Sequence, residues 1–283
     1  MNFACFELRH QVHWGYWQSG TLWSLGTTQD PGGSAINQAL AAIHEQGWPD
    51  PATATATPAG EQDLLAPVPG AGKIICIGRN YQAHAIELES PVPELPVVFN
   101  KLPNTLNRPG GDILLPEICE AADYEGELVA VIGRAGRNIP PDRAFDHVFG
   151  YCCGNDVTSR DWQKGRPGGQ WLLGKSMDTF APIGPWIVPA SDLDPAALQI
   201  RTRLNEQLVQ SATTDQLIFG IDTLISHVSR FFTLQPGDLL FTGTPQGVGA
   251  GRQPPLFMKH GDRIEVEIEG IGRLCNRVRA TCP

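Results

Sequence analysis

Short apolar runs, separated by glycine and proline, dominate the chain from residue 73 onward. The runs KIICIG (73–78) and ELVAVIG (127–133) each have the length and composition of a buried β-strand. Residues 262–270, DRIEVEIEG, alternate apolar and acidic side chains, which predicts a strand with one buried and one solvated face. Residues 199–211 indicate a hairpin that turns at 205–206.

Helical periodicity is confined to a few segments. Residues 221–232 place apolar side chains on one stripe, which predicts a core-facing helix. We predict further helices near 34–45, over 141–149 with Gly150 as the stop, and over 158–164. Many short strands, few helices, 31 Gly and 24 Pro together predict a β-rich α+β fold with long functional loops.

A composition change divides the chain near residue 70. Residues 49–70 are rich in Pro, Ala and Thr and have no periodicity, which is typical of a linker. Strand-like pieces at 4–8, 14–17 and 21–25 precede it. We therefore predict a small N-terminal domain with its linker (1–70) and a larger main domain (71–283).

Composition excludes several classes of protein. The net charge is −9 and no dense Lys/Arg run occurs, so a nucleic-acid partner is not expected. No apolar stretch reaches the length of a membrane span, and the first residues lack the pattern of a signal peptide. An odd number of cysteines without a C-x-x-C motif argues against a disulfide framework or a zinc ribbon, and predicts a cytoplasmic location. These cysteines lie at 5, 76, 119, 152, 153, 275 and 282.

Glu125 and Glu127 form the first candidate site. If a strand begins at Glu125, its period of two puts both carboxylates on one face, with Cα atoms roughly 7 Å apart. Two carboxylates at this separation can bind one hard cation such as Mg²⁺, Mn²⁺ or Ca²⁺. The alternative is a solvated strand face, which is how the similar acidic pattern in 262–270 is interpreted.

Asp156 is the second candidate, at the end of another apolar run. It could cap a short helix or bind a metal ion. A helix that starts here would place Arg160 and Gln163 on the same side as Asp156. An arginine and a glutamine next to an acidic group suit an anion that is held beside a metal.

His84 and Glu87 form a third candidate, because positions i and i+3 of a helix face the same way. Asn80 is a suitable N-cap for that helix. A carboxylate beside an imidazole raises the basicity of the ring, which is the usual arrangement of a general base. The alternative is a chance surface pair.

Two loops supply further candidates. Lys175, between a glycine and a serine, could reach a substrate carboxylate or enolate, or could be a surface lysine. Residues 242–249, TGTPQGVG, offer backbone N–H groups to an anion but lack the Gly-Lys-Ser/Thr spacing of a P-loop.

The order and spacing of these segments resemble the fumarylacetoacetate hydrolase family over residues 73–280. This resemblance is carried, in order, by KIICIGRNYQAHAIE, PVVFNK, DYEGELVAVIG, GYCCGNDVTSRDWQ, GGQWLLGKSMDTFAPIGPW, LQPGDLLFTGTPQGVG and GDRIEVEIEGIG.

The resemblance implies a β-roll of mixed sheets with the active site in a cleft at its mouth. It implies a divalent ion, Mg²⁺ or Mn²⁺ with Ca²⁺ as a further option, and a homodimer. It also assigns roles by position. The implied metal ligands are Glu125, Glu127 and Asp156, the catalytic residues are His84, Glu87 and Lys175, and the substrate-binding residues are Arg160, Gln163, Lys101 and Thr244.

The implied activity is hydrolysis of a C–C bond in a small 2-oxo acid or 1,3-dicarbonyl compound of the acylpyruvate type. We expect His84, polarised by Glu87, to activate a water molecule, and the metal with Lys175 to stabilise the departing enolate. The same site could instead decarboxylate an oxaloacetate-like acid, isomerise an oxo-dienoate or dehydrate a deoxy sugar acid. A binding module without catalysis is a further alternative, which the intact dyad disfavours.

Overall fold

The computed structural model describes residues 1–30 and 33–281 of the chain. Its α-helices are α1 (Ser34–Gln46), α2 (Gln82–Glu87), α3 (Arg160–Gln163), α4 (Trp171–Lys175) and α5 (Ile221–Ser229). Its strands are β1 (Asn2–Leu8), β2 (Gln11–Gln18), β3 (Thr21–Thr28), β4 (Thr55–Ala56), β5 (Ile74–Gly78), β6 (Val97–Lys101), β7 (Leu106–Asn107), β8 (Asp112–Leu115), β9 (Ala122–Asp123), β10 (Gly126–Ile132), β11 (Val148–Asn155), β12 (Thr158–Ser159), β13 (Ala181–Pro189), β14 (Gln199–Leu204), β15 (Gln207–Thr213), β16 (Leu239–Phe241), β17 (Arg263–Ile268) and β18 (Gly272–Ala280). Short 3₁₀ helices are Pro51–Thr53, Glu61–Asp63, Pro103–Thr105, Pro141–His147, Pro195–Ala197, Thr214–Gln216 and Gly249–Gly251.

Two mixed sheets account for most of the structure. The larger has the strand order β4-β3-β2-β1-β13-β11-β10-β16-β5-β6, with β7 paired to β13. Its β16–β5 and β13–β7 pairs are parallel and its other pairs are antiparallel. The smaller has the order β15-β14-β17-β18-β8. The predicted β-rich α+β fold with mixed sheets is confirmed.

Strand β10 lies at the centre of the molecule and is buried along its whole length. Leu128 and Ala130 point into a core that also contains Leu224 of α5. Val129, between them, points into a second core that contains Leu40 of α1. Because β10 is covered on both faces, side chains at its N-terminal end are held in fixed positions.

Several predicted elements are confirmed with small shifts of their ends. Helices α1 and α5 cover the two segments with helical periodicity at 34–45 and 221–232. The β14–β15 hairpin turns at Asn205 and Glu206, whose φ angles of 50° and 69° are those of a two-residue hairpin turn. On β17 the alternating isoleucines and valine are buried as predicted, whereas Glu265, on the face predicted to be solvated, is buried as well.

Other predictions were wrong because strand pairing prevailed over local pattern. The segment 141–149 forms a 3₁₀ helix that ends at His147, and Gly150 lies inside β11, paired with β13. In the segment 158–164, only α3 is helical. Its first two residues instead form β12, which pairs with β9.

The first 70 residues share a sheet and a core with the rest of the chain. Strand β1 pairs with β13, with Phe3 opposite Ile187. Phe3 lies in the same core as Val129, and Leu64 and Val68 of the predicted linker are buried. That residues 1–70 and 71–283 fold as two separate domains stays a prediction.

The cysteines of the described residues form no disulfide bonds with one another. Cys5, Cys76, Cys119, Cys152, Cys153 and Cys275 are free thiols, and Cys282 lies outside the described residues. No helix within 1–30 or 33–281 is long and apolar enough to cross a lipid bilayer.

Candidate active site

Three buried carboxylates meet where β10 and β11 pair. Glu125 directly precedes β10, Glu127 is its second residue, and Asp156 directly follows β11. The antiparallel register pairs Gly126 with Asn155, which brings the backbone N–H of Asp156 to the carbonyl of Glu125 at 2.9 Å. One carboxylate oxygen from each residue lies within 4.8 Å of the others. This convergence is the geometry of a shared cation site.

Two buried lysines contact this cluster from opposite sides. Lys175, at the end of α4, donates to Glu125 at 2.6 Å and to Asp156 at 2.7 Å. Lys101, at the end of β6, donates to the other oxygen of Asp156 at 2.7 Å and to the carbonyl of Val157 at 3.0 Å. Asp156 therefore forms ion pairs with two ammonium groups. It does not cap a helix, because the N-cap of α3 is Ser159.

The two glutamates have opposite proton affinities. Burial alone would raise the pKa of Glu125, but Lys175 and Arg160 hold that pKa well below its ordinary value. Burial, with Asp156 and Glu125 nearby, raises the pKa of Glu127 well above its ordinary value. Among the described residues, Glu127 forms no ion pair. An all-oxygen donor set that lacks positive charge at one ligand fits a hard divalent cation such as Mg²⁺, Mn²⁺ or Ca²⁺.

Arg160 connects the cluster to a fourth carboxylate. Its guanidinium donates to Asp123 at 2.8 Å, to Glu125 at 2.6 Å and to the Gln163 side-chain oxygen at 2.9 Å. Asp123 also accepts the backbone N–H groups of residues 249–250 at 2.7 and 3.0 Å. The β9–β12 pair brings Arg160 to this position, so the helix predicted to start near residue 156 is not required.

The predicted dyad of His84 and Glu87 is formed on α2. Nδ1 of His84 lies 3.4 Å from one oxygen of Glu87. The other oxygen of Glu87 accepts the N–H of Gly247 at 2.8 Å. Because Nδ1 faces Glu87, Nε2 is the ring nitrogen that is available to a substrate.

Asn80 was predicted to be the N-cap of α2, and this prediction was wrong. The residue instead stabilises the turn before the helix. Tyr81 occupies the N-cap position and makes no side-chain cap bond. The Asn80 amide donates to the carbonyls of Thr242 and Phe219 at 2.7 and 3.0 Å, and its oxygen accepts the N–H of Phe219. The side chain thus ties the dyad helix to the loop at 242–251.

The loop at 242–251 binds protein carboxylates through its N–H groups. Gly243 donates to Glu127 at 2.7 Å, in addition to the contacts with Glu87 and Asp123 described above. The side-chain hydroxyl of Thr244 donates to the backbone carbonyl of Gly126 at 3.0 Å. The sequence predicted N–H donation to an anion here, and the acceptors in the structure are side chains of the site itself.

A cavity of about 120 Å³ opens beside these residues. Apolar side chains of β5, β6 and α4 form part of its wall. Glu87, Lys101 and Asp156 are not among the lining residues. The predicted site residues that line it are His84, Glu125, Glu127, Arg160, Gln163, Lys175 and Thr244.

Comparison with known proteins identifies the family of the chain. The family model described as fumarylacetoacetate (FAA) hydrolase C-terminal matches residues 73–279. The chain belongs to the fumarylacetoacetate hydrolase family. A relative from Xenopus laevis, described as a mitochondrial oxaloacetate tautomerase, is 47% identical over 216 residues, which cover 76% of this chain and 68% of that protein.

Solved structures of the family extend the similarity to the N-terminal part. The fumarylacetoacetate hydrolase of Exiguobacterium antarcticum is 36% identical, with a TM-score of 0.84, over 99% of this chain and 100% of that one. The 5-carboxymethyl-2-hydroxymuconate delta-isomerase of Mycobacterium smegmatis is 33% identical, with a TM-score of 0.79, over both complete chains. The family fold predicted from the sequence is confirmed.

Sequence reasoning gave no role to Asp123, Arg79 or Lys164, all of which belong to the site region. Asp123 continues the period-two spacing of Glu125 and Glu127, and this signal could have identified it. Arg79 and Lys164 line the cavity. Only the tertiary structure brings them together.

Proposed function

We propose that this protein moves a proton at the carbon next to the carbonyl of a 2-oxo acid, and so interconverts tautomers or isomers of that acid. Enzymes of the family act on small oxo acids. The observation that carries the proposal is the His84–Glu87 pair, whose imidazole lines the same cavity as Glu125 and Glu127. A base and a cation site in one cavity are what enolisation requires.

The carboxylate cluster supports a divalent metal as cofactor. An ion held by Glu125, Glu127 and Asp156 would bind the carboxylate and 2-oxo oxygens of the substrate and make the neighbouring C–H more acidic. Mg²⁺ and Mn²⁺ both suit these oxygen ligands.

His84 is the proposed base and Glu87 its positioning partner. Nε2 of His84 takes the proton from the substrate carbon and returns it to another atom of the same substrate. Glu87 stabilises the imidazolium that forms, and the N–H of Gly247 keeps Glu87 in position. A positioned base of this kind contributes roughly 10²–10⁴ in rate.

Lys175 supplies positive charge for the enolate oxygen. Burial lowers its pKa, but Asp156 and Glu125 outweigh this effect and raise the pKa, so the ammonium stays charged. Two of its three N–H bonds go to Glu125 and Asp156, which leaves one for a ligand in the cavity. Fixed charge of this kind can contribute as much as the base.

Hydrolysis of a C–C bond is the second candidate function. The same imidazole could activate water, and the similarity to the Exiguobacterium hydrolase favours this reaction. The two reactions differ in their products, because tautomerisation adds no water to the substrate.

A substrate panel separates the two candidates. The protein with Mg²⁺ or Mn²⁺ is incubated with oxaloacetate, an oxo-dienoate and an acylpyruvate, and the products are followed by NMR. Interconversion without fragmentation supports tautomerisation, and two carboxylic fragments from the acylpyruvate support hydrolysis. If none of the substrates changes, both candidates are wrong.

We also propose a homodimer in the cytoplasm. Strand β6 is an unpaired sheet edge with exposed Val98, and exposed Leu172 and Leu173 lie on neighbouring α4. Free thiols agree with a reducing compartment. Sedimentation at micromolar concentration tests the dimer, and a single monomeric species contradicts it. Cell fractionation tests the location.

A further inference from the structure

A second cavity, separate from the one at the candidate active site, lies beside strands β17 and β18 of the smaller sheet. Its volume is about 380 Å³, and it shares no lining residue with the cavity beside Glu125 and Glu127. Four of its lining residues are arginines, which lie on β17, on β18 and in the turn before β8. They are Arg108, Arg263, Arg273 and Arg277. This concentration of positive charge stands out in a chain with a net charge of −9.

Two of these arginines lie opposite each other on neighbouring strands. The antiparallel register of β17 and β18 pairs Arg263 directly with Arg277. Directly opposite side chains have Cβ atoms roughly 5 Å apart, and like charges at this separation destabilise a sheet. Two residues further along the same face, the register places Glu267 opposite Arg273, which is the favourable arrangement. An anion bound between Arg263 and Arg277 would relieve their repulsion.

The carboxylates near the cavity neutralise only part of this charge. Glu265 pairs with Arg263 at 2.5 Å and lies 3.7 Å from Arg273. Glu267 lies 3.8 Å from Arg273 but forms a closer ion pair outside the cavity, at 2.8 Å. Glu206 also lies near Arg263 and favours its charged form. The acidic groups of this face are thus directed at Arg263 and Arg273.

Arg108 and Arg277 are the two arginines of the cavity without a partner. Within residues 1–30 and 33–281, neither guanidinium forms an ion pair or a hydrogen bond. Asp112 is the neighbour of Arg277 in the β8–β18 register, but it pairs with Arg279 at 3.2 Å. Glu61 lines the cavity and forms no ion pair with any described residue. A positive excess therefore remains at Arg108 and Arg277.

The turn that carries Arg108 is fixed against β18. The buried amide of Asn276 donates to the backbone carbonyls of Arg108 and Gly111, each at 2.9 Å. The N–H of Gly110 donates to the carbonyl of Cys275 at 2.8 Å. These contacts hold the backbone of Arg108 and leave its guanidinium available. A cation whose position is fixed in advance loses less entropy when it binds a ligand.

We propose that this cavity binds the diphosphate group of a small molecule, with Arg108 and Arg277 as its main ligands and Arg263 as a third. A planar guanidinium donates paired N–H groups to phosphate oxygens. A diphosphate carries several charged oxygens and can therefore contact more than one arginine at once. The site is independent of the proposed function, because its residues take no part in the active-site cavity.

Calorimetry with inorganic pyrophosphate tests the site in the full-length protein. Chelator treatment followed by dialysis first removes divalent ions, so that no anion binds through a metal at the carboxylate cluster. We expect Arg108→Gln and Arg277→Gln each to lower pyrophosphate affinity about 10- to 100-fold, as for the loss of a charge-assisted bond. Both side chains are exposed, so both variants should fold normally.

Arg279→Gln is the matched control. It removes the same charge from an exposed position of β18 that does not line the cavity, and it should bind pyrophosphate as the wild-type protein does. An equal loss in Arg277→Gln and Arg279→Gln, or no measurable binding to the wild-type protein at millimolar pyrophosphate, would overturn the proposal. Sulfate that binds as tightly as pyrophosphate at equal ionic strength would also overturn it, because the attraction would then be general.

Cys275 gives a second readout within the cavity. Its thiol is partly buried and lines the cavity, whereas the partly buried Cys119 does not line it. Pyrophosphate at ten times its dissociation constant should slow alkylation of Cys275 by iodoacetamide about tenfold and leave Cys119 unchanged, as measured by peptide mass spectrometry. Equal rates with and without pyrophosphate at Cys275 would contradict the site.

ADP separates the two sources of a diphosphate group. If ADP binds at least as tightly as pyrophosphate and loses affinity equally in Arg277→Gln, the result supports a nucleotide as the ligand. Weaker binding of ADP, with the same loss in the variant, supports free diphosphate. ADP binding that Arg277→Gln does not change would place the nucleotide elsewhere and count against the proposal.

Discussion

Glu125 and Glu127 lie two residues apart, but their surroundings give them opposite effects on stability. Glu125 is paired with Lys175 and Arg160, and its pKa is held low. Glu127 is buried without a cationic partner in the described residues, and its pKa is raised. The proposed metal site thus combines two carboxylates that pair with cations of the protein, Glu125 and Asp156, and one, Glu127, that has no cationic partner in the described residues.

This asymmetry predicts opposite effects of two matched substitutions in the metal-free protein. At pH 7, Glu125→Gln should lower the free energy of unfolding by about 3–5 kcal/mol, because it leaves buried cations unpaired. Glu127→Gln should raise it, because a buried charge is removed. Urea unfolding in the presence of a chelator measures both. Equal destabilisation by the two substitutions would contradict the assignment.

The contributions of Glu125 and Glu127 to the free energy of unfolding should also depend on pH in opposite directions. The folded-state pKa of Glu125 lies below its unfolded value, so its stabilisation is present above the ordinary carboxyl range and is lost as pH falls through the folded pKa. The folded-state pKa of Glu127 lies above its unfolded value, so its contribution is present at low pH and is lost as pH rises through the folded pKa. In Glu127→Gln, the loss on raising the pH should disappear.

Local spacing predicted that Glu125 and Glu127 share a face and that His84 lies beside Glu87, but it left a solvated face and a chance surface pair open as alternatives. It was insufficient for the ion pair of Asp123 with Arg160, which are 37 residues apart and are brought together by the β9–β12 pairing. The role of these two side chains depends on a long-range contact that no local period encodes.

Among the elements, the loop at 242–251 holds more of the site together than its composition suggested. Its N–H groups reach Glu127, Glu87 and Asp123. One segment therefore positions Glu127, which is a proposed metal ligand, Glu87 of the dyad, and Asp123, which binds Arg160. This arrangement depends on Gly243, whose φ is 103°.

Gly243→Ala should disrupt this loop. An added Cβ would lie 2.7 Å from Cβ of Asn80, a contact that requires the backbone to move. We expect a loss of about 2–4 kcal/mol in stability and weaker Mg²⁺ binding. Gly261→Ala is the control, because its φ is 90° but nothing lies within 4 Å of its added Cβ. If the two variants bind Mg²⁺ equally well, the loop does not position the ligand.

Long-range strand pairing also explains the wrongly predicted helices. Residues 158–159 have a pattern compatible with a helix, but their pairing with β9 makes them a strand. Residues 148–149 likewise join β11 because a neighbouring strand satisfies their backbone. Strand pairing is decided by distant residues, so single-segment patterns could not reveal it.

For the whole molecule, residues 1–70 contribute to the central core. Phe3 is fully buried in the core that also contains Val129 and Phe241. The prediction of a separate N-terminal domain concerns how this part unfolds, and the shared core favours a single transition.

Phe3→Ala tests this coupling. We expect a loss of about 3–5 kcal/mol and one cooperative transition by both fluorescence and circular dichroism. Phe231→Ala, at a side chain that is 66% exposed, should change stability by less than about 0.5 kcal/mol. Two separate transitions in the wild-type protein would instead support independent domains.

The proposed function requires His84 to abstract a proton from the substrate carbon in the cavity beside Glu125 and Glu127. Its most direct test is exchange of the C3 hydrogens of a 2-oxo acid in D₂O with Mg²⁺, followed by proton NMR. We expect the wild-type protein to catalyse the exchange, and His84→Gln to abolish it while Mg²⁺ affinity by calorimetry stays unchanged. Exchange at the wild-type rate in His84→Gln would contradict the account.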